Sequence, residues 1–474
     1  MPVGNAVQHS QGLRERGYSM ATGGFFNIVT GSVAAQNSRF GQFVDTSRNH
    51  LIVCGQLGDI DKSNAGETQV WYRHPGDGSP GAAVWKFQQR IQNNMASSTG
   101  DRSAGATITE LTTGGSAGSA YAAVAHPYDD DQASNAGTVT IHEKSCLLCD
   151  WIQMATLLDP VSETDTMGLS GMSLVGDTLA VSHALADLDK DGANSKTSRG
   201  RVNIYTREGV TGAGVTGAVW ASQQVLDSGY NITSSQLFGR QVRLNKTNNN
   251  LLAVSGIKLA TDAGSTEGHV KVFERSGTTW SLKATLKASD VAAGDLLGCG
   301  ASTGRGALSF CGDTIVAGAS GQDEDVDGNN TVSQAGMAYV FRALTGDYSQ
   351  WTEVAKLTGP ARVSNDRFGD SVTHWQSGDQ LRIAVGAFGS ELNGDDANDL
   401  TSSGTFANDG AVMIFQNTRD NIFECVSIIK RHNASSGVTI SSGRGTVTYA
   451  QTFSMGSLSM NDLGILVVGS MNDT

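Results

Sequence analysis

Residues 176–205 read GDTLAVSHALADLDKDGANSKTSRGRVNIY, and residues 312–341 read GDTIVAGASGQDEDVDGNNTVSQAGMAYVF. The two stretches share a short apolar strand, an acidic turn containing Gly, and a second strand that begins after Gly. Apolar residues alternate at period two in that second strand, as in a β-strand with one face packed more tightly. The shared order indicates an internal repeat, which has to be traced before any local motif is interpreted.

The rest of the chain repeats the same unit. The apolar strand recurs seven times, at 51–55, 121–126, 179–183, 251–256, 315–319, 383–387 and 465–470. The next strand follows Gly66, Gly137, Gly200, Gly268, Gly336 and Gly410, and the last strand of the unit opens at Trp85, Trp151, Trp220, Trp280, Trp351 and Phe423. Four strands per unit predict a propeller blade. We interpret the recurring aromatic residue as a packing anchor between neighbouring blades.

The seventh unit stops after two strands, and the N-terminus offers the missing ones. Residues 17–22 fit a third strand, and residues 25–41 align with 351–369, including the final RFG. Closure by both termini would leave no exposed sheet edge in the ring. The predicted fold class is therefore all-β, a seven-bladed β-propeller of four-stranded blades in one domain, 1–474. The predicted blades are 37–94, 95–160, 161–226, 227–288, 289–360, 361–430, and 431–474 completed by 1–36.

This repeat resembles the FG-GAP family, the unit of the seven-bladed propeller in integrin α subunits and in related surface proteins and lectins. The resemblance is carried by RFG at 39–41, LFG at 237–239 and RFG at 367–369, and by the Gly-Ala pairs within 317–319 and 384–387. It implies a propeller fold and, more distantly, a function in adhesion or recognition.

The two acidic turns have the spacing of a tight calcium loop, with carboxylates at positions 1, 3 and 5 and Gly at position 6. The predicted ligands are Asp187, Asp189, Asp191, Ala193 and Ser195 in the first loop, and Asp323, Asp325, Asp327, Asn329 and Thr331 in the second. Neither loop ends in Glu at position 12, and the few charged ligands favour a Kd of about 10⁻⁴ to 10⁻³ M. Calcium is the predicted cofactor.

Other turns at the same place in the repeat are acidic without the Gly. They contain Asp59 and Asp61, Asp129 to Asp131, and Asp395, Asp396 and Asp399. Because the 2–3 and 4–1 loops of a four-stranded blade share one face, five blades would present carboxylates around one rim. Two readings stay open, a surface that recognises metals or cations and a set of polar loops that keep the protein soluble.

Composition and charge limit the partners. The net charge of −13 argues against nucleic acid and anionic membranes, which are bound by clustered Lys and Arg. No apolar run approaches the roughly 18 residues of a transmembrane helix, and the N-terminus lacks the apolar region of a secretory signal. Five N-x-S/T sequons, at Asn231, Asn245, Asn329, Asn433 and Asn472, permit a glycoprotein without indicating one. The chain is then intracellular, or a processed chain whose leader has been removed, or a fragment of a longer protein; of these we expect an extracellular or cell-surface location.

Six Cys leave several pairings open. Cys299 and Cys311 sit on the first two strands of one unit, Cys146 and Cys149 form CLLC in a turn, and Cys54 and Cys425 have no evident local partner. A hairpin disulfide, free thiols, and metal or redox chemistry are the alternatives.

No catalytic motif stands out. GGSAG at 114–118 matches the nucleophile-elbow pattern but lies in a Gly/Ser/Thr-rich turn rather than between a strand and a helix. We therefore predict no enzyme but a recognition or adhesion propeller that binds a protein or glycan on its acidic face. The alternatives are a structural subunit of a filament, appendage or coat, which would self-assemble, and a calcium-dependent lectin.

Overall fold

The computed structural model describes residues 40–471 with gaps. The gaps are 56–65, 75–83, 92–102, 111–118, 131–133, 162–165, 209–218, 230–234, 260–265, 302–305, 378–379, 391–409, 431–451 and 462–464, with single residues 291, 345 and 420. Among the described residues, no helix is long and apolar enough to cross a membrane.

Six sheets of four antiparallel strands follow one another along the chain, each in the order of the sequence. Their strands are β1 Phe40–Thr46, β2 His50–Gly55, β3 Glu67–His74 and β4 Val84–Ile91; β5 Ala106–Glu110, β6 Ala120–His126, β7 Thr138–Lys144 and β8 Ile152–Leu158; β9 Met172–Val175, β10 Thr178–His183, β11 Arg201–Glu208 and β12 Val219–Asp227. The other three sheets comprise β13 Val242–Asn245, β14 Asn248–Gly256, β15 His269–Ser276 and β16 Thr279–Leu286; β17 Leu308–Cys311, β18 Thr314–Ala319, β19 Met337–Leu344 and β20 Asp347–Leu357; β21 Phe368–Ser377, β22 Gln380–Ala387, β23 Ala411–Arg419 and β24 Ile422–Lys430. The protein is an all-β propeller.

The prediction of seven four-stranded blades is wrong. The described residues form six four-stranded blades and one two-stranded sheet, β25 Thr452–Met460 with β26 Leu466–Met471. This sheet lies between the sixth and first blades, where β25 contacts β21 and β1. Leu466 and Val468 are buried there against Ala384 and Val412 of the sixth blade. Residues 1–36, predicted to complete this unit, lie outside the described residues.

The second strand of each blade is deeply buried over most of its length. Residues of β2, β6, β10 and β18 are buried along the whole strand, since each packs against neighbouring blades on both faces. A strand covered on both faces has apolar or small residues throughout, which is the pattern that located it in the sequence. The predicted second and third strands are confirmed at every described copy.

The Gly before each third strand allows close contact between blades. Gly336 has φ +82°, and a Cβ atom built on it would lie 2.1 Å from the carbonyl oxygen of Phe368 in the next blade. Gly200 meets Phe238 in the same way, with φ +81° and a distance of 2.1 Å. Phe238 and Phe368 begin the FG pairs of the repeat. The Gly before each of these third strands thus packs directly against the FG segment of the next blade, and a larger residue would not fit there.

The Trp residues that open the fourth strands pack between blades, which confirms their interpretation as packing anchors. Trp280 donates its indole N–H to Gln223 Oε1 at 2.9 Å and its backbone N–H to Gln224 Oε1 at 2.7 Å, across the boundary between the third and fourth blades. Trp151 makes the same pair of bonds to Gln88 and Gln89 of the first blade. These bonds satisfy the polar atoms of largely buried rings.

Candidate functional site: the central channel

The seven innermost strands surround a central channel, and each contributes one polar side chain at the same register. Each of these residues pairs with a small or β-branched residue of the adjacent second strand, as Asp45 does with Ile52 and Arg243 with Ala253. We call this set the polar ring; its members are Asp45, Thr107, Ser173, Arg243, Ser309, Thr373 and Ser459. All seven line one cavity of about 620 Å³.

The polar ring also links neighbouring strands. Ser173 Oγ accepts the backbone N–H of Leu244 at 3.0 Å, and Ser309 Oγ accepts that of His374 at 3.2 Å. Ser459 Oγ accepts the N–H of Thr46 at 3.2 Å. The oxygen of each Ser is therefore fixed by the neighbouring strand, while its hydroxyl hydrogen remains a donor.

Asp45 is the acidic member of the ring, and four donors surround its carboxylate. Oδ1 accepts from Ser459 Oγ at 2.8 Å and from Thr46 N at 2.9 Å. Oδ2 accepts from Thr107 Oγ1 at 2.7 Å and from Ile108 N at 3.1 Å. Because both oxygens are engaged, Asp45 stabilises the ring rather than offering an acceptor to a ligand.

Arg243 is the basic member, and it has no carboxylate partner. Its Nη1 donates to the backbone carbonyl of Val242 at 2.7 Å, and in the described part of the chain it forms no ion pair. Burial lowers the pKa of Arg243, and the charge of Asp45 across the channel partly offsets this. The guanidinium therefore brings a positive charge and unused N–H donors into the cavity.

Lys246 lies where β13 ends and reaches across the channel. Its Nζ donates to the carbonyl of Met460 at 2.8 Å and, at 3.4 Å each, to Thr373 Oγ1 and the carbonyl of His374. Desolvation of the ammonium group among these partners lowers the pKa of Lys246, although the residue as a whole is exposed. The side chain connects the fourth blade to the sixth blade and to β25, and adds a second positive charge to the cavity wall.

Glu110 and His50 form a polar cluster at the same end of the channel. Burial acts to raise the pKa of Glu110, but hydrogen bonds with His50, Asn49 and Ser47 outweigh it and leave that pKa lowered. His50 Nδ1 lies 3.0 Å from Glu110 Oε1, and Asn49 Nδ2 donates to Oε2 at 2.9 Å. Burial lowers the pKa of His50. The carboxylate thus holds the first turn of blade one against blade two.

The two predicted calcium loops share one geometry. In the first, Asp189 Oδ1 accepts the N–H groups of Asp191 and Ala193 at 3.1 and 2.9 Å, and Oδ2 accepts Asn194 Nδ2 at 2.6 Å. In the second loop, Asp325 Oδ1 accepts hydrogen bonds from the backbone N–H groups of Asp327 and Asn329 at 3.0 and 2.9 Å, and Oδ2 accepts one from the Asn330 Nδ2 amide. The tight turn predicted from the Asp and Gly spacing is present in both.

The other predicted ligands are spread through these loops. Asp187 Oδ1 accepts Ser198 N, and Asp323 Oδ1 accepts Gln334 N, both at 2.7 Å. The carbonyls of Ala193 and Asn329 accept the N–H of Asp189 and Asp325 at 3.3 and 3.0 Å. Asp191, Ser195, Asp327 and Thr331 are exposed. Among the described residues, no group of three or more His, Cys, Asp or Glu side chains is placed to hold a metal ion.

The remaining acidic turns fall largely outside the described residues. Asp59, Asp61, Asp131, Asp395, Asp396 and Asp399 lie there. Asp129 is buried and accepts Thr138 Oγ1 at 2.8 Å, so it supports the start of β7. Asp130 accepts the backbone N–H of Asn135 at 2.6 Å.

The cysteines separate into one disulfide and four thiols. Cys146 and Cys149 are bonded to each other, whereas Cys54, Cys299 and Cys311 are buried thiols and Cys425 is a half-buried one. Burial raises the pKa of Cys54, Cys299 and Cys425 to about 11. A hairpin disulfide between Cys299 and Cys311 is therefore not formed.

Comparison with known proteins agrees with the fold. No protein-family model and no curated protein matches the chain. Similar solved structures include a periplasmic gluconolactonase of Pseudomonas aeruginosa, with 11% identity and a TM-score of 0.46 over 82% of this chain and 85% of that one. A GH93 α-L-arabinofuranosidase of Fusarium graminearum has 11% identity and a TM-score of 0.38 over 73% of this chain and 92% of that one. The β-propeller domain of Myceliophteria thermophila Cps50 has 9% identity and a TM-score of 0.44 over 90% of this chain and 91% of that one. At these identities the likeness shows the propeller fold alone.

The comparisons correct two predictions. The sequence was interpreted as a non-catalytic propeller because no catalytic motif was visible, and as an adhesion protein because of its fold resemblance. Two of these neighbours are enzymes, and none is an adhesion protein. Both predictions are therefore withdrawn: a fold that enzymes share establishes neither the absence of catalysis nor a role in adhesion.

Proposed function

We propose that the protein binds a small organic or inorganic anion in its central cavity, with Arg243 as the charged anchor. The observation that carries this proposal is the Arg243 guanidinium, which lines the cavity without a carboxylate partner among the described residues. Arg243 is half-buried, and partly removing a charge from water without a partner is unfavourable. A bound anion would supply the missing partner and offset this cost.

The neighbours of Arg243 in the polar ring suit the same ligand. Ser173 precedes it and Ser309 follows it, and both hydroxyl oxygens are held by backbone N–H groups. Their hydroxyl hydrogens have no acceptor in the described part of the chain. Two hydroxyl donors therefore flank a guanidinium, and Lys246 adds positive charge nearby. Carboxylate and phosphate oxygens are the acceptors that such a donor set recognises.

The size of the cavity favours a small molecule. Its volume of about 620 Å³ falls within the roughly 300–1,000 Å³ of small-molecule sites.

The variant Arg243→Met tests the proposal, because it keeps most of the side-chain volume and removes the charge. In the wild type, phosphate, succinate or citrate should raise the melting temperature, by the equivalent of about 2.7 kcal/mol at a hundred times Kd. Arg243→Met should lose this response while melting at or above the wild-type temperature in the absence of anion, since a half-buried charge without a carboxylate partner has been removed.

The control is Arg382→Met, which removes an exposed arginine on β22 and should leave the response intact. A wild-type protein that none of these anions stabilises, or an Arg243→Met protein that responds like the wild type, would contradict the proposal. A strongly destabilised Arg243→Met protein would show that the arginine is structural.

The repeat is further proposed to be of the FG-GAP type. The contact between the third-strand Gly and the FG segment of the next blade supports this, as it gives both signature residues a structural role. Leu237 and Arg367, which precede the two FG pairs, both have positive φ, so the segment has one backbone conformation in both copies.

Calcium at the two acidic loops remains a proposal, supported by the shared tight turn. At 10 mM calcium, a site with a Kd of about 1 mM should stabilise the folded protein by about 1.4 kcal/mol. Asp325→Asn should remove part of this gain, and a chelator all of it, as measured by thermal unfolding. Asp347→Asn, which changes an exposed turn carboxylate outside the loops, is the control. Equal melting temperatures with calcium and with chelator would rule the site out.

A further inference from the structure

We propose that the Cys146–Cys149 disulfide is a thiol–disulfide exchange site, which small thiols and dithiols reduce while the propeller stays folded. The bond closes the turn between β7 and β8, and both cysteines are half-exposed. The turn projects from the outer part of the second blade, where Leu148 is 69% exposed. An attacking thiolate therefore reaches the sulfur atoms without any unfolding.

The residues around the turn favour one direction of cleavage. Ser145 donates its hydroxyl to Cys149 Sγ at 3.5 Å. A donor at this sulfur stabilises the charge that develops when Cys149 leaves as a thiolate, and a better-stabilised leaving thiolate departs faster. Attack is therefore directed at Cys146 Sγ.

The turn keeps its shape without the covalent bond. The N–H of Cys149 donates to the carbonyl of Cys146 at 3.1 Å. Gln88 of the first blade donates to the carbonyls of Leu147 and Cys149 at 3.0 Å each, and Lys144 Nζ donates to that of Leu147 at 2.6 Å. These four bonds hold the two cysteines in place, so reduction is reversible.

The exchange is balanced as follows. A thiolate of a dithiol attacks Cys146 Sγ, the Cys146–Cys149 bond breaks, and its electron pair leaves on Cys149 Sγ, which takes a proton from solvent. The second thiolate of the reagent then attacks the mixed disulfide and releases Cys146 as a thiolate, which also takes a proton from solvent. The protein gains two electrons and two protons, and the reagent is oxidised to a cyclic disulfide.

Alkylation after treatment of the folded protein with millimolar dithiothreitol tests the site. We expect modification of Cys146 and Cys149, read at peptide level by mass spectrometry, with Cys54, Cys299 and Cys311 unmodified. With glutathione, the trapped mixed disulfide should be on Cys146. Modification of the 146–149 pair only under denaturing conditions, together with the buried thiols, would overturn the proposal, as would glutathione on Cys149.

A variant separates reactivity from stability. Ser145→Ala should slow reduction at least about threefold, because it removes the donor to the leaving sulfur, without changing the melting temperature. Ser119→Ala is the matched control, since that hydroxyl donates to the carbonyl of Ser145 and not to a sulfur. An unchanged reduction rate in Ser145→Ala would contradict the assigned direction of attack.

Discussion

Replacing Gly336 with alanine is expected to lower the free energy of unfolding by about 3 kcal/mol or more. Its φ of +82° costs an L-residue about 1–2 kcal/mol, and the new methyl group would overlap the carbonyl oxygen of Phe368. Because that oxygen belongs to the backbone of the next blade, relief requires the two blades to separate. Urea denaturation of the variant measures the loss directly.

Gly346→Ala is the control that isolates the contact. Gly346 has almost the same conformation, with φ +75°, but nothing lies within 4 Å of the position its Cβ would occupy. Gly346→Ala should therefore lower the free energy of unfolding only by the cost of the positive φ, about 1 kcal/mol. Equal losses in the two variants would mean that the inter-blade contact at Gly336 does not limit stability.

Acidification from pH 7 to pH 5 is expected to lower the free energy of unfolding by several kcal/mol. Burial lowers the pKa of His142 and His183 to about 4 and that of His374 to about 3. The unfolded chain binds protons at these imidazoles as the pH falls through about 6.5 and the folded protein does not, so stability is complete above that pH and is lost toward pH 4. Each His contributes about 2 kcal/mol of the loss at pH 5.

One carboxyl acts in the opposite direction. Burial raises the pKa of Asp295 to about 7, so this group takes up a proton in the folded state and favours folding as the pH falls. It offsets slightly more than one imidazole, which leaves a net loss of between about 3 and 4 kcal/mol at pH 5.

His142→Gln tests this account in one residue. Glutamine can keep the hydrogen bond with Thr140, which lies 3.1 Å from His142 Nε2, and it does not titrate. Between pH 7 and pH 5, the free energy of unfolding of the variant should fall by about 2 kcal/mol less than that of the wild type. Urea unfolding at both pH values measures the difference. His74→Gln, at the half-buried end of β3, is the control. A pH dependence identical to that of the wild type would contradict the assignment to buried imidazoles.

The strands could be predicted from the sequence because their burial is repeated. The apolar segment of each second strand is covered on both faces, so this segment recurs at each copy. The seventh unit could not be predicted in this way. The sequence placed its missing strands at the N-terminus, more than four hundred positions away, and local patterns carry no information about such a pairing. Alignment of the two ends of the chain showed that they are similar, not that they pair.

The polar ring was missed for a different physical reason. A residue that faces the channel alternates with buried neighbours just as a solvent-facing residue does, so Arg243 looks like an ordinary surface position of a strand. The available signal was the offset in sequence between each ring residue and its partner on the second strand, which is seven residues for Asp45, Ser173 and Ser309.

For the acidic loops, the sequence predicted the local conformation but not the ligand. Asp and Gly at these spacings predict the tight turn. They do not distinguish a calcium-binding turn from one in which the Asp side chains accept hydrogen bonds from the backbone of the same loop.

The most direct test of the central claim is a crystal structure of the protein soaked in selenate, with the anion located by anomalous scattering. We predict a peak inside the cavity, about 2.7–2.9 Å from the Arg243 guanidinium nitrogens, with the hydroxyls of Ser173 and Ser309 within hydrogen-bonding distance. The same soak of Arg243→Met crystals should leave the cavity without a peak. Selenate bound only at the outer surface of wild-type crystals would contradict the proposal that the channel is an anion site.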